Sequence, residues 1–230
     1  MKVFEMKLKV YLLKDIETEK LLAREAGFID SALAKESKWL DYHEENQFKN
    51  YCFNGCYPLE REGVYKKDKI YTITIRTVDA KLAKYFYEVL KDHHNPFMKG
   101  LTIEGRILPQ KRIREIYSLT PVIQKSDDGY WKNQMSLDEF EKHLFENAVK
   151  KYKQYTGEDL NEDFQLYTGF RFLNKNPIPN EYKKIRLLGD KINLKIADEE
   201  QAQKMAYFLL GTGLCELNSR GFGYCNYRWV

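Results

Sequence analysis

Residues 211–230 read GTGLCELNSRGFGYCNYRWV. Gly211, Gly213, Gly221 and Gly223 place four of the chain's 13 glycines in this one stretch, and aromatic residues follow directly. Glycine lacks a Cβ and enters positive φ without penalty, so the cluster marks backbone that turns tightly or comes very close to something. The residues leave two readings open. One is a tight connection with no ligand; the other is a loop whose N–H groups around Asn218, Ser219 and Arg220 approach an anion. The spacing is not GxxxxGKS/T, and no GxGxxG follows a strand, so neither nucleotide-binding loop is implied. Tyr224–Trp229 alternates as a strand, and a helix opening at Asp198 runs through Met205, Ala206 and Leu209. The glycines therefore join a helix to a strand and are not a loose tail.

Working back from that loop, the second half has a regular order. Residues 113–122 read as a strand, ended by Pro121 and the polar KSDDG. Ser136 with Glu139 forms a capping-box pattern ahead of a helix that buries Leu137, Phe140, Leu144, Ala148 and Tyr152. Phe164, Leu166, Phe170 and Phe172 alternate, as do Ile192, Leu194 and Ile196. The first half repeats the series. Met6, Leu8, Val10 and Leu12 alternate with Lys7, Lys9 and Tyr11; a helical pattern runs from Glu17 to about Trp39; Tyr51–Tyr57 and Ile70–Val78 read as strands. Asp79 caps a helix carrying Leu82, Phe86, Val89 and Leu90, and Leu101, Ile103 and Ile107 suggest a last strand. Both halves read β-α-β-β-α-β, which predicts an α+β protein of two tandem ferredoxin-like domains, residues 1–118 and 119–230. Such a fold by itself assigns no function.

A chain of 230 residues is long enough for two such cores. No run of about 18 apolar residues suggests a membrane span. The start, MKVFEMKLKVYLL, lacks the apolar core of a signal peptide, so a cytoplasmic protein is expected. Cys52, Cys56, Cys215 and Cys225 lack CxxC spacing, which favours free thiols over a zinc site. Residues 1–118 hold 22 of the 38 Lys and Arg against 18 of the 34 Asp and Glu, whereas residues 119–230 hold 16 of each. The basic excess of the first half weakly favours a polyanionic partner there.

The stretch KWLDYHEENQFKNYCFNG, residues 38–55, places His43 where the first helical segment runs out and Lys49 six residues later. Histidine suits proton transfer near neutral pH, and a nearby lysine can stabilise charge on a phosphate. An exposed helix-end histidine beside Glu44 and Glu45 is the other reading. His93 and His94 end a helix, where a partly cationic ring would complement the dipole. His143 lies mid-helix among charges, and no HExxH or carboxylate cluster points to a catalytic metal.

The ending GTGLCELNSRGFG resembles the C-terminal glycine-rich loop of the CRISPR repeat-processing endoribonucleases, the Cas-six family of the RAMP superfamily. Further features fall in the same order along nearly the whole chain: His43 with Lys49 before a strand, YTITIRTVD before a helix, SLTPVI (Ser118–Ile123), LDEFEKHLFENAVKKYKQYTG, and the late GFG. The resemblance implies cleavage of CRISPR repeat RNA in precursor transcripts to mature guide RNA, with no metal or other cofactor. A ribose 2′-hydroxyl attacks in line, leaving a 2′,3′-cyclic phosphate and a 5′-hydroxyl. His43 matches the family's catalytic histidine and Lys49 its charge-stabilising lysine. A tyrosine that some relatives carry falls near Phe28, which has no hydroxyl; Tyr42 is the nearest substitute. Gly211, Gly213, Ser219, Arg220, Gly221 and Gly223 correspond to the RNA-holding loop, with Arg220 on phosphate. Lys99, Arg106, Lys111, Arg112 and Arg114 line the path of a repeat hairpin or form a solvated basic edge; Arg112 and Arg114 complete the RNA-binding set. Partners implied are the repeat RNA and other CRISPR effector subunits. A homodimer is compatible with the sequence, though no surface in it marks an interface. The alternatives are a non-catalytic RNA-binding RAMP subunit of an effector complex and an interaction protein unrelated to RNA.

Overall fold

Strand alternation builds the first sheet directly. In β1 (Phe4–Leu12), Met6, Leu8, Val10 and Leu12 are buried while Lys7 and Lys9 face water. It pairs antiparallel with β5 (Ile70–Thr77) and β6 (Met98–Ile107), so that Leu8 sits between Ile73 and Ile103. β3 (Tyr51–Phe53) adds to β5 at the other side, giving the order β3-β5-β1-β6. The helices of this half are α1 (Thr18–Leu33), α2 (Ser37–Glu44) and α3 (Ala80–Val89), with β2 (Ile16–Glu17) and β4 (Val64–Tyr65) forming a small ribbon. α3 starts where Asp79 accepts hydrogen bonds from the N–H groups of Lys81 and Leu82, satisfying two otherwise unpaired donors.

The second sheet runs β12-β7-β11-β8, from β7 (Ile113–Ser118), β8 (Tyr167–Phe172), β11 (Ile192–Ile196) and β12 (Cys225–Trp229). α4 (Leu137–Thr156) and α5 (Glu200–Thr212) supply its helices. α4 carries the expected capping box between Ser136 and Glu139 and ends on Gly157 at φ 70°. In each sheet the four strands, taken in chain order, lie as 4-1-3-2, the ferredoxin-like arrangement, so the protein is α+β with two tandem copies of it. The computed structural model describes residues 1–125, 129–183 and 185–230. Ser126, Asp127 and Asp128 of the KSDDG stretch therefore lie outside the described residues.

Four expectations change. The helical pattern from Glu17 breaks after Leu33; Glu36 is extended, and the break buries Trp39 of α2 against Tyr85, with ring centroids 5.3 Å apart. β7 hydrogen-bonds to β11 and β12, so the sheets part within residues 108–112, ahead of the division expected after 118. Asp198 does not cap α5: Glu199 takes the N-cap position, and the Asp198 carboxylate accepts from Arg112 Nε at 3.1 Å. His93 is no helix-end cation. It is buried against Phe28, 2.8 Å from Ser31 Oγ, and burial with Lys35 and His94 nearby lowers its pKa to about 4. A hairpin also appears between β8 and β11, formed by β9 (Ile178–Tyr182) and β10 (Ile185–Gly189). It lies against α1, where Arg186 Nη2 is 2.7 Å from Glu19 Oε1.

Two cores result, and each takes residues from the other half. Val3 and Val78 sit in the core of the second domain; Ile123 and Phe222 sit in the core of the first. Buried Arg76 of β5 fixes the seam. It pairs with Glu5, donates to the Cys225 carbonyl at 2.6 Å and lies over the ring of Tyr224. All four cysteines are free and buried. Among the described residues no helix is long and apolar enough to cross a membrane.

Two stability experiments follow from this packing. Phe222→Ala removes a ring that is 1% exposed and should cost about 3–5 kcal/mol in urea unfolding. Glu25 on α1 is fully buried; its Oε1 accepts from Cys56 N at 2.8 Å, and burial pushes its pKa up from 4.5 to about 8. The unfolded carboxyl ionises first, so stability falls as pH rises from about 4.5 and levels off above about 8. The advantage of Glu25→Gln over wild type should therefore grow between about pH 5 and about pH 8.

Candidate active site

α2 delivers His43 in its last turn, and the chain then loops through residues 45–50 into β3. Lys49 turns back onto that helix end. Its ammonium donates to the Tyr42 carbonyl and, at 2.7 Å, to the Glu45 carbonyl, satisfying oxygens left open by the helix terminus. His43 thus lies in the chain between the two residues whose backbone Lys49 holds. Burial lowers the Lys49 pKa, with Glu45 opposing the shift and Arg220 adding to it. The second domain holds the same loop: the Gln154 side chain of α4 accepts from Phe48 N at 3.1 Å and donates to Phe48 O at 3.0 Å.

Opposite stands the glycine-rich connection between α5 and β12. Gly211 lies within the last turn of α5, packed against Val3 and Val78, and Gly213 ends the helix. Asn218–Arg220 form a short 3-10 turn between Leu217 and Gly221, both left-handed. The thing the backbone approaches so closely is the protein itself. Gly221 has φ 87°, and a Cβ there would stand 2.7 Å from the Phe53 ring. Gly223 has φ 66°, and its Cβ would stand 2.1 Å from the Leu214 carbonyl oxygen. With both glycines buried, Phe222 is turned into the first core, while Ser219 and Arg220 remain half-exposed.

Lys151 of α4 organises this loop from beneath. Its wholly buried ammonium donates to the carbonyls of Gly213 (3.1 Å) and Cys215 and to Asn218 Oδ1 (2.5 Å). Asn218 Nδ2 donates in turn to Leu214 O and Phe222 O at 2.8 and 3.0 Å. Burial depresses the Lys151 pKa to about 8. Even so, three N–H groups meet three acceptors, a match that the neutral amine would lose.

Between the two loops lies a cleft of about 380 Å³, lined by residues 45–49, Lys125, Gln154 and residues 216–220. Arg220 forms part of its wall and pairs with Asp30 of α1; Asp30 Oδ1 is 3.4 Å from His43 Nδ1. The structure therefore brings His43, Lys49, Ser219 and Arg220 together. Phe28 lies in the core on His93, and Tyr42 is engaged by Asn50 N, which donates to its hydroxyl at 2.7 Å. Arg112 and Arg114 lie elsewhere. Arg112 sits at the N-terminal end of α5, about 20 Å from the loop at its other end by helix rise, and Arg114 lines a separate groove with Glu115 and Arg171. Arg106 is paired with Glu5. Asp30, Lys125, Lys151 and Gln154 escaped the sequence reading. For Lys151 a signal existed, since it follows Leu144 and Ala148 along the buried stripe of α4.

Solved structures superpose on this chain over nearly its whole length and share its fold. A RAMP protein binding different RNA substrates superposes with TM-score 0.73 at 14% identity over 98% of this chain and 99% of its own. A Cas6 product complex superposes with TM-score 0.64 at 14% identity over 99% of both chains. In sequence, the CRISPR-associated endoribonuclease Cas6 2 of Methanocaldococcus jannaschii is 24% identical over 223 residues, 87% of this chain and 89% of the relative. The family model for CRISPR associated protein Cas6, C-terminal, matches residues 108–227, and the chain belongs to the Cas6 family.

Lys151→Met leaves three buried acceptors without donors and should destabilise the protein by about 3 kcal/mol or more in urea unfolding.

Proposed function

We propose that this chain is an endoribonuclease that cleaves CRISPR repeat RNA in precursor transcripts, by attack of a ribose 2′-hydroxyl on the adjacent phosphate. The observation that carries this reading is that Lys49 and Arg220 line one cleft and Asp30 joins Arg220 to His43, in a member of the Cas6 family. Internal transesterification needs a proton taken from one oxygen, a proton given to another, and negative charge stabilised between them. His43 serves as general base or acid. Lys49 and Arg220 supply positive charge where the phosphorane develops. Ser219 and Lys125, which line the same cleft, offer further donors to the RNA backbone. The glycines act indirectly, by letting the loop pack tightly enough to present Ser219 and Arg220. The products are a 2′,3′-cyclic phosphate and a 5′-hydroxyl, and the reaction uses no metal.

One observation favours the second reading, an RNA-binding subunit that does not cut. Lys49 is already engaged by the carbonyls of Tyr42 and Glu45, as a helix cap would be. Cleavage by this lysine requires it to reach the phosphate from that cap position. End-labelled repeat RNA from the host's own array, incubated in EDTA, separates the two. Wild type should give a single cut with a cyclic phosphate end, His43→Ala should lose about 100-fold or more in rate with RNA binding retained, and Lys49→Ala should lose less. Tight binding without a cut would assign the non-catalytic role; loss of wild-type cleavage on chelation would refute the metal-free chemistry.

A further inference from the structure

Asp30, near the end of α1, is shared by the two halves of the site. Its Oδ2 accepts from Arg220 Nη1 of the glycine-rich loop, and its Oδ1 is 3.4 Å from His43 Nδ1. That Oδ1 is buried and, among the described residues, has no partner of good hydrogen-bond geometry. A buried acceptor left open costs about 1–3 kcal/mol, and a small rotation of the His43 ring would bring a donor to it. Catalytic hydrogen bonds are commonly long before substrate tightens them.

We propose that Asp30 is a positioning residue for His43, and that Arg220 in turn fixes Asp30. Asp30 accepts the Nδ1–H of the neutral ring, so the lone pair lies on Nε2 and the proton moves at that atom. When Nε2 takes the 2′-hydroxyl proton the ring becomes a cation, and the Asp30 carboxylate stabilises it; when Nε2 gives the proton back to an oxygen, the same bond holds the ring in line. Arg220 tethers the carboxylate to the loop, so seating of the loop sets the aim of a histidine that belongs to the other domain. The inference rests on the reading of the chain as a ribonuclease.

The test is Asp30→Asn, an isosteric change, beside His43→Ala. Single-turnover cleavage of the host repeat RNA at saturating protein should fall about 10-fold or more in Asp30→Asn, short of the roughly 10⁴-fold loss where a fully buried carboxylate orients a triad histidine. The dissociation constant for the RNA in Asp30→Asn should change by no more than about twofold. The second readout needs no RNA. In free, ¹⁵N-histidine-labelled protein, with the His43 signal identified by its loss in His43→Ala, the ring shifts should report the Nδ1–H tautomer in wild type and move toward the Nε2–H tautomer in Asp30→Asn. An unchanged tautomer together with an unchanged rate would overturn the inference. Full cleavage by His43→Ala would instead overturn the ribonuclease reading beneath it.

Discussion

The ammonium of Lys151 has three hydrogens, and the glycine-rich loop turns three oxygens onto it. Much of the site's geometry depends on that contact. The loop can wrap one cation because residues without Cβ let its backbone fold onto Leu214 and Asn218. Wrapped in this way, it pushes Phe222 out of its own domain and into the core of the other. A polar contact on one side and an apolar one on the other clamp the same short segment. A cation so deep in the protein is costly to desolvate, and the depressed pKa of Lys151 records the cost.

The same clamp explains why the site has parts from both ends of the chain. His43 and Lys49 come from the end of α2 and its connection to β3, and Ser219 and Arg220 from the connection between α5 and β12, about 170 or more residues further on. Neither connection is held by its own domain alone. Gln154 grips the backbone of Phe48 from α4, and Asp30 grips Arg220 from α1. Each domain thus steadies a cleft-lining loop of the other.

The element order was legible because local chemistry and tertiary structure agree. Alternation in β1 and β5, the Asp79 cap and the Ser136–Glu139 capping box all stand in the structure where the residues place them. The hairpin of β9 and β10 was not legible. Pro179 lies within β9, and proline is found in strands only where a missing N–H is tolerated, as in this two-stranded ribbon. Of the candidate site, His43, Lys49 and Arg220 stood out because short motifs surround them. Asp30 could not: a carboxylate thirteen residues before a histidine forms no recognisable spacing, and its role appears when α1 meets the loop. The glycines were seen, but not their partner. Sequence marks a close approach without saying to what, and here the neighbours are Phe53, Leu214 and Asn218.

The cleft between the two loops has one wall from each domain. A molecule that touches both walls binds the docked arrangement of the domains and has no such site when they separate. Occupancy and docking are then linked: a ligand at a hundred times its dissociation constant would add about 2.7 kcal/mol to the docked state. The reverse also holds, since any fraction of time spent with the seam open weakens apparent affinity by that same fraction. The buried Arg76 bridge, remote from the cleft in sequence, is in this sense part of how tightly the cleft can hold its occupant.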